Sequence, residues 1–182
     1  MEYSVRSCIA GALVIAGALS ALTASPSAMA QAFPNKTVRI IVPFPGGSVT
    51  DTFTRLIGEN MEAVLGQKVI TEPRAGAGTE IGTKYVISQP ADGYTLLLAT
   101  PSLAIKSAQM KPPFDGRKEL APVGQFNDSQ IFLCMNTSLP VKNAKELLDY
   151  ARANPGKLNM VNYGVGTLGH LMGEMLAYKG GV

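Results

Sequence analysis

The sequence predicts an α/β fold in which a parallel sheet is covered by helices on both faces. Three observations support this prediction: short apolar runs rich in β-branched residues recur, segments of helical periodicity lie between them, and only short loops join the two. This strand–helix–strand order is typical of parallel sheets, because each crossover helix returns the chain to the edge where the previous strand began. With 46% hydrophobic residues among 182, the chain can build a sizeable core.

Local patterns mark each element of the first half. Residues 38–44 are β-branched and bounded by proline and glycine, which predicts a buried strand. Residues 49–65 carry apolar side chains at helical spacing, and Gly66 is well placed to end that helix. By the same criteria, strands are predicted at 68–72 and 94–100, a helix at 79–88, and a turn at 90–93.

A polar connection with two prolines, at about 111–118, leads into the second half. The patterns there predict strands at 121–126, 131–135 and 158–163, and helices at 143–154 and from 167 to 178. Cys134 lies in the second of these strands and is predicted to be a small buried residue.

Ligands of parallel α/β sheets bind beyond the carboxyl ends of the strands, where loops 43–48, 74–78 and 100–102 are predicted to lie. Asp51 follows the first loop and either places a favourable charge at a helix N-terminus or orders the Gly46–Gly47 loop and its waters around a ligand. Since its charge would repel an anion, the second role is an indirect one. Arg74 could bind a carboxylate through its planar guanidinium, or could simply be solvated.

The segment Gly164–Gly169 has the spacing G-x-G-x-x-G between a predicted strand and a predicted helix. A dinucleotide site is disfavoured, because the strand comes late in the sequence and the ribose-binding acid does not follow. Glycines, free amides and the helix dipole suit a carboxylate equally well, and a plain tight turn is the third alternative. His170 is the one histidine in the sequence, and it either lines this site or packs its helix.

The first thirty residues have the organisation of an export signal. Arg6 precedes an apolar run at 8–24, Pro26 breaks the run, and Ala28-Met29-Ala30 offers the pattern of small residues that signal peptidase needs. Residues 1–30 are therefore predicted to be a signal peptide that is cleaved after Ala30, with a membrane anchor as the alternative. The mature protein is expected in the periplasm.

Composition and missing motifs exclude several classes of function. The net charge of +3 comes from scattered basic residues, which does not favour nucleic-acid binding. The sequence has no Walker A loop, no nucleophile elbow, no H-E-x-x-H and no paired cysteines in the mature part. No cofactor, no metal and no catalytic residue is therefore predicted.

Several motifs together resemble the Bug-type substrate-binding proteins of tripartite tricarboxylate transporters. The resemblance extends from Phe33 to the last residue, and the order and density of its motifs make it specific. The motifs are VRIIVPF at 38–44, the Gly-Gly loop with Asp51 and Arg55-Leu56, LGQKV at 65–69, PRAGAG at 73–78, PADGYTLL at 90–97, LPVK at 139–142, KEL at 145–147 and NPGKLN at 154–159.

This resemblance implies a two-lobed fold like that of type II periplasmic binding proteins, with a first lobe at 31–126 and a partial second lobe at 127–182. It implies capture of a small carboxylate (a di- or tricarboxylate, an aromatic carboxylate or an amino acid) for the membrane permease subunits of a transporter, by a protein that is monomeric when complete. The alternatives are an exported sensory module and an exported α/β enzyme. The ligand-binding residues that the resemblance implies are Phe44, Pro45, Gly46, Gly47, Ser48, Asp51, Tyr163, Gly164, Val165, Gly166, Thr167 and His170. Thr100 and Ser102 are predicted to join them because their loop follows the third strand at the same edge of the sheet.

Two departures from the family pattern accompany the resemblance. Only Pro45 separates Phe44 from the glycine pair, where family members usually have two residues. Family members are also considerably longer, so the second lobe is expected to be incomplete. A sheet without its neighbouring strands exposes apolar edges, and the polypeptide alone is therefore expected to be poorly stable and to bind weakly.

Overall fold

The computed structural model describes residues 32–109 and 111–182. The predicted signal peptide at 1–30, with its cleavage site after Ala30, lies outside these described residues. Within them, no helix combines the length and the apolar character that a membrane crossing requires.

A three-stranded parallel sheet forms the centre of the fold, as predicted. Its strands are β1 (Val38–Val42), β2 (Val69–Pro73) and β3 (Thr95–Leu97), arranged in the order β2-β1-β3. β1 is the middle strand, and the side chains of Ile41 and Val42 are fully buried although they point to opposite faces. Both faces of the sheet are therefore covered at this strand.

Two helices follow the strands at the predicted places. They are α1 (Val49–Leu65) and α2 (Glu80–Ile87), and both pack on β1. The hydroxyl of Ser48 accepts a hydrogen bond from the Asp51 amide and so caps α1, while Gly66 ends it in the left-handed conformation. The local sequence therefore accounts for both ends of α1.

Small residues form the side of α1 that faces the sheet. Its buried positions are Asp51, Thr54 and Gly58, and a Cβ on Gly58 would lie 3.4 Å from Cγ1 of Val69. Several large apolar side chains of α1 lie on the faces that do not contact the sheet. Among them are Phe53, Leu56 and Val64, which are 46%, 56% and 85% exposed.

The segment after β3 differs from the prediction of a loop at 100–102. A helix, α3 (Pro101–Ser107), begins there with proline at its first position, and a short helix, α4 (Gly116–Glu119), follows. Leu98, just before α3, completes the core cluster with Val38, Ile40, Val42 and Val69.

The second half keeps its predicted helices but not its predicted strands. The helices are α5 (Ala144–Ala153) and α6 (Leu168–Gly180), joined by two hydrogen bonds from the Arg152 guanidinium to the Gly180 carbonyl at 2.9 and 2.6 Å. The strand predictions at 121–126, 131–135 and 158–163 are wrong for the described structure. Apolar composition alone does not make a strand, because a strand needs a neighbour to satisfy its backbone.

The side chains of those three segments lie mostly at the surface. Phe132 and Val161 are exposed, and Cys134 is exposed as well, so the prediction that it is buried is also wrong. The boundary between the two lobes at 126/127 stays a prediction.

Candidate functional site

The first loop at the carboxyl edge of the sheet is held in shape by Asp51. One carboxylate oxygen, Oδ2, accepts hydrogen bonds from the Gly47 amide at 2.9 Å and from Nε of Arg55 at 3.2 Å. Asp51 sits at the third position of α1 because Ser48 begins that helix. This geometry agrees with the indirect, loop-ordering role considered for Asp51.

The electrostatics of Asp51 keep it ionised. Its side chain is buried, with a residue exposure of 3%, and the Gly47 amide is the main cause that lowers its pKa below the ordinary value. Burial opposes this lowering, and the Arg55 guanidinium adds to it. The second oxygen, Oδ1, is buried and accepts no hydrogen bond from the described residues.

The second loop has an unusual backbone. Four successive residues, Gly76, Ala77, Gly78 and Thr79, have positive φ angles of 135°, 47°, 62° and 83°. Positive φ is costly for alanine and threonine, and such strain concentrates at functional sites. The hydroxyl of Thr79 is buried and unpaired within the described part of the chain.

Arg74, at the start of this loop, is engaged within the protein. Its Nε donates to Glu72 at 2.8 Å, and its guanidinium lies 3.6 Å from the centre of the Tyr85 ring. Arg74 is thus not simply solvated, since it is bound to Glu72 and stacked on Tyr85, and its binding of a ligand carboxylate stays a prediction.

The fourth loop, from Tyr163 to Thr167, was expected to present unpaired amides, and this expectation needs correction. Three amides of the loop and the following turn are bound by side chains of the same chain, while the Val165 amide makes no hydrogen bond to a described residue. The three pairs are Gly164 N to Asn162 Oδ1 at 2.9 Å, Gly166 N to His170 Nδ1 at 3.4 Å, and Gly169 N to Tyr163 OH at 2.9 Å.

His170 is therefore fixed by its own loop. Nδ1 accepts from Gly166, which requires that nitrogen to be unprotonated, and Nε2 lies 3.6 Å from Oε1 of Glu174. Glu174 is a neighbour that the sequence analysis did not consider, although it stands four residues later on the same helix. Thr167 is fully buried and donates its hydroxyl hydrogen to the Gly164 carbonyl.

The second loop, at 74–79, and the fourth loop, at 163–167, are in contact. A Cβ on Gly78 would collide with the Val165 carbonyl oxygen, and one on Gly164 would lie 3.8 Å from Cα of Gly78. The first loop borders the second, since a Cβ on Gly46 would lie 3.5 Å from Cγ of Pro73. No hydrogen bond joins the first loop to the fourth in the part of the chain that the structure describes.

Lys106 lies where these loops meet, and the sequence analysis missed it. It is on α3, one turn after Ser102, and both side chains are buried. Thr100, the N-cap of α3, is half-buried. The proline after Thr100 was the signal that could have revealed α3, because it would have placed Ser102 and Lys106 on one helix face.

Neither a surface groove nor a metal-binding cluster of the described residues adds to this site. Two shallow grooves run along the outer side of α1, one beside Phe53 and the other beside Val64, away from these loops. Across 32–109 and 111–182, no three His, Cys, Asp or Glu side chains are arranged to hold a metal ion.

Solved structures of similar fold define the class of this protein as a periplasmic-type binding protein. The periplasmic binding protein BugD matches with a TM-score of 0.68 and 30% identity, over 82% of this chain and 50% of its own. MatC from Rhodopseudomonas palustris, solved with bound malate, matches with a TM-score of 0.73 and 29% identity, over 82% of this chain and 52% of its own.

The chain belongs to the tripartite tricarboxylate transporter family of receptors, whose sequence model matches residues 53–182. Among curated relatives, the protein BugT of Bordetella pertussis is 34% identical over 155 residues, which cover 84% of this chain and 48% of BugT. The chain spans about half the length of the curated relatives it matches. The resemblance found in the sequence and the predicted fold class are both confirmed.

Proposed function

We propose that this protein is a receptor that captures a small carboxylate outside the cytoplasm and delivers it to the permease subunits of a tripartite transporter. The observation that carries the proposal is the meeting of two glycine-rich loops, 76–79 and 164–167, at the carboxyl edge of a parallel sheet. Backbone amides in such loops bind anions, and the N-terminus of α6 adds a favourable dipole.

The bonds that now hold the fourth loop are compatible with ligand exchange. A tyrosine hydroxyl and a neutral imidazole are uncharged acceptors, whereas a carboxylate forms hydrogen bonds about twice as strong. A ligand carboxylate can therefore replace Tyr163 at the Gly169 amide and His170 at the Gly166 amide. The malate bound to MatC supports a carboxylate as the ligand class.

The remaining parts of the proposal follow from this role. The protein is exported with residues 1–30 removed after Ala30, and its ligand lies between the lobes at 31–126 and 127–182. Closure of the lobes is favoured because the ligand touches both of them only in the closed state. The role is one of binding, and loss of a measured turnover in His170→Ala would instead support an enzyme.

A pair of glycine variants in the full chain tests the proposal. Gly166 and Gly156 have φ angles of 78° and 73°, so alanine adds a similar backbone strain at both. A Cβ at Gly156 meets no atom within 4 Å, whereas one at Gly166 would lie 2.9 Å from Nζ of Lys106.

The affinity for malate is measured by ligand-observed NMR, a method that detects weak binding. We expect malate to bind the wild type, to bind Gly156→Ala equally well, and to bind Gly166→Ala at least tenfold more weakly. No binding of malate, citrate, benzoate or glutamate by the wild type would contradict the proposed function. Equal binding by the two variants would contradict the site.

A further inference from the structure

The Lys106 side chain is almost completely buried and has no anionic neighbour among the described residues. Its residue exposure is 9%, and no described residue forms an ion pair or a hydrogen bond with its ammonium group. Its stem is buried while its ammonium nitrogen keeps some exposure, so the charge is held beside the loops where an anion can reach it.

The surroundings of Lys106 provide hydrogen-bond donors instead. A Cβ on Gly166 would lie 2.9 Å from Nζ of Lys106 and 3.5 Å from Nε2 of Gln109. A Cβ on Gly78 would lie 3.4 Å from the same Nζ. Two donors, one of them a full positive charge, thus lie beside Gly166, and ammonium and amide nitrogens donate but do not accept.

The charges of the site match a ligand with two negative groups. The amides of the fourth loop and the N-terminus of α6 together supply about half a positive charge, which suits one carboxylate. Lys106 adds one whole positive charge at the same loop, and no acidic side chain among residues 32–109 and 111–182 neutralises it. A second carboxylate on the ligand would neutralise it.

On the basis of the proposed function, we propose that Lys106 determines specificity by binding the second carboxylate of a dicarboxylate ligand, with Gln109 as a neutral donor beside it. The protein then prefers a dicarboxylate to the monocarboxylate of the same carbon skeleton. Malate and 3-hydroxybutyrate are such a pair, because a methyl group in the second replaces one carboxylate of the first.

The experiment compares these two ligands by NMR titration of the full chain. Lys106→Met keeps the aliphatic stem and removes the charge, and Lys106→Gln is a second neutral variant in case the first unfolds, as judged by circular dichroism. Lys84→Met is the matched control, because Lys84 is exposed and paired with Glu80 at 2.6 Å on α2.

We expect the wild type to bind malate at least tenfold more tightly than 3-hydroxybutyrate, and both neutral variants to lose about tenfold in malate affinity. The affinity for 3-hydroxybutyrate should stay within about twofold, and Lys84→Met should match the wild type. Gln109→Leu should show a smaller loss, about threefold, for malate alone.

Three results would overturn the inference. An equal loss for both ligands would show that Lys106 acts on the carboxylate that the two ligands share, or on the shape of the loops, and not on a second carboxylate. An unchanged malate affinity in both neutral variants would show that the ammonium does not touch the ligand. A wild type that binds the two ligands equally would exclude a charge-based preference. If the wild type binds neither ligand nor any other carboxylate, the proposed function itself fails, which is a distinct outcome.

Discussion

Gly78→Ala is the change that most directly tests how the second and fourth loops meet. Its φ angle of 62° is left-handed, so alanine there costs about 1–2 kcal/mol in backbone strain. The new methyl group would also collide with the Val165 carbonyl and lie 3.2 Å from Cε of Lys106. Overpacking of this kind adds about 1–3 kcal/mol, so the free energy of unfolding should fall by about 2–5 kcal/mol.

Gly66→Ala is the matched control for this change. Gly66 has a φ angle of 64°, almost the same as Gly78, but a Cβ there meets no atom within 4 Å. It should therefore lose only the backbone part, about 1–2 kcal/mol. Urea titrations of the full chain, followed by circular dichroism, measure both variants against the wild type. Equal losses would refute the contact between the two loops.

Two further changes test other parts of the structure. Asp51→Asn should be less stable than the wild type at neutral pH, because the Gly47 amide, and to a smaller extent Arg55, hold the pKa of Asp51 below 3.8. That stabilisation is present above pH 3.8 and is lost as the pH falls through the lowered pKa. The urea midpoints of the two proteins should therefore converge in acid. A difference between the midpoints that stays constant with pH would contradict this. Arg152→Met removes two bonds to the Gly180 carbonyl and, at a half-exposed site, should cost about 1 kcal/mol in a urea titration. Lys145→Met, at an exposed ion pair, should cost under about 0.5 kcal/mol, and equal costs would argue against the α5–α6 contact.

The elements of the first half could be predicted because their signals are local. Ser48 and Gly66 fix the two ends of α1 through bonds within a few residues of the chain. The run of β-branched residues in 38–44, with the proline and glycine that bound it, indicates a strand from the local sequence alone. The strands expected at 121–126 and 131–135 failed because pairing is a non-local property that composition does not contain.

The candidate site could be predicted only in outline. The positions of the loops follow from the order of strands in a parallel sheet, so their place at one edge was foreseeable. The groups that bind the loop amides could not be foreseen, because the hydrogen bond from the Gly169 amide to the Tyr163 hydroxyl depends on how tightly the chain curves between these residues. Lys106 was missed for a related reason, since its burial depends on α3 and on loops distant in sequence.

If the protein binds its ligand as proposed, the side chains that hold the fourth loop set a minimum acceptor strength for that ligand. Tyr163 and His170 already accept hydrogen bonds from the Gly169 and Gly166 amides. A solute gains binding energy by replacing them only if it is a better acceptor than a phenol oxygen or an imidazole nitrogen. Sugar and alcohol hydroxyls are weaker acceptors than an imidazole nitrogen, whereas a carboxylate, which carries a charge, forms the stronger bond. On the proposed function, sugars and alcohols are therefore disfavoured at the Gly166 amide because they cannot improve on its bond to His170, without any steric barrier.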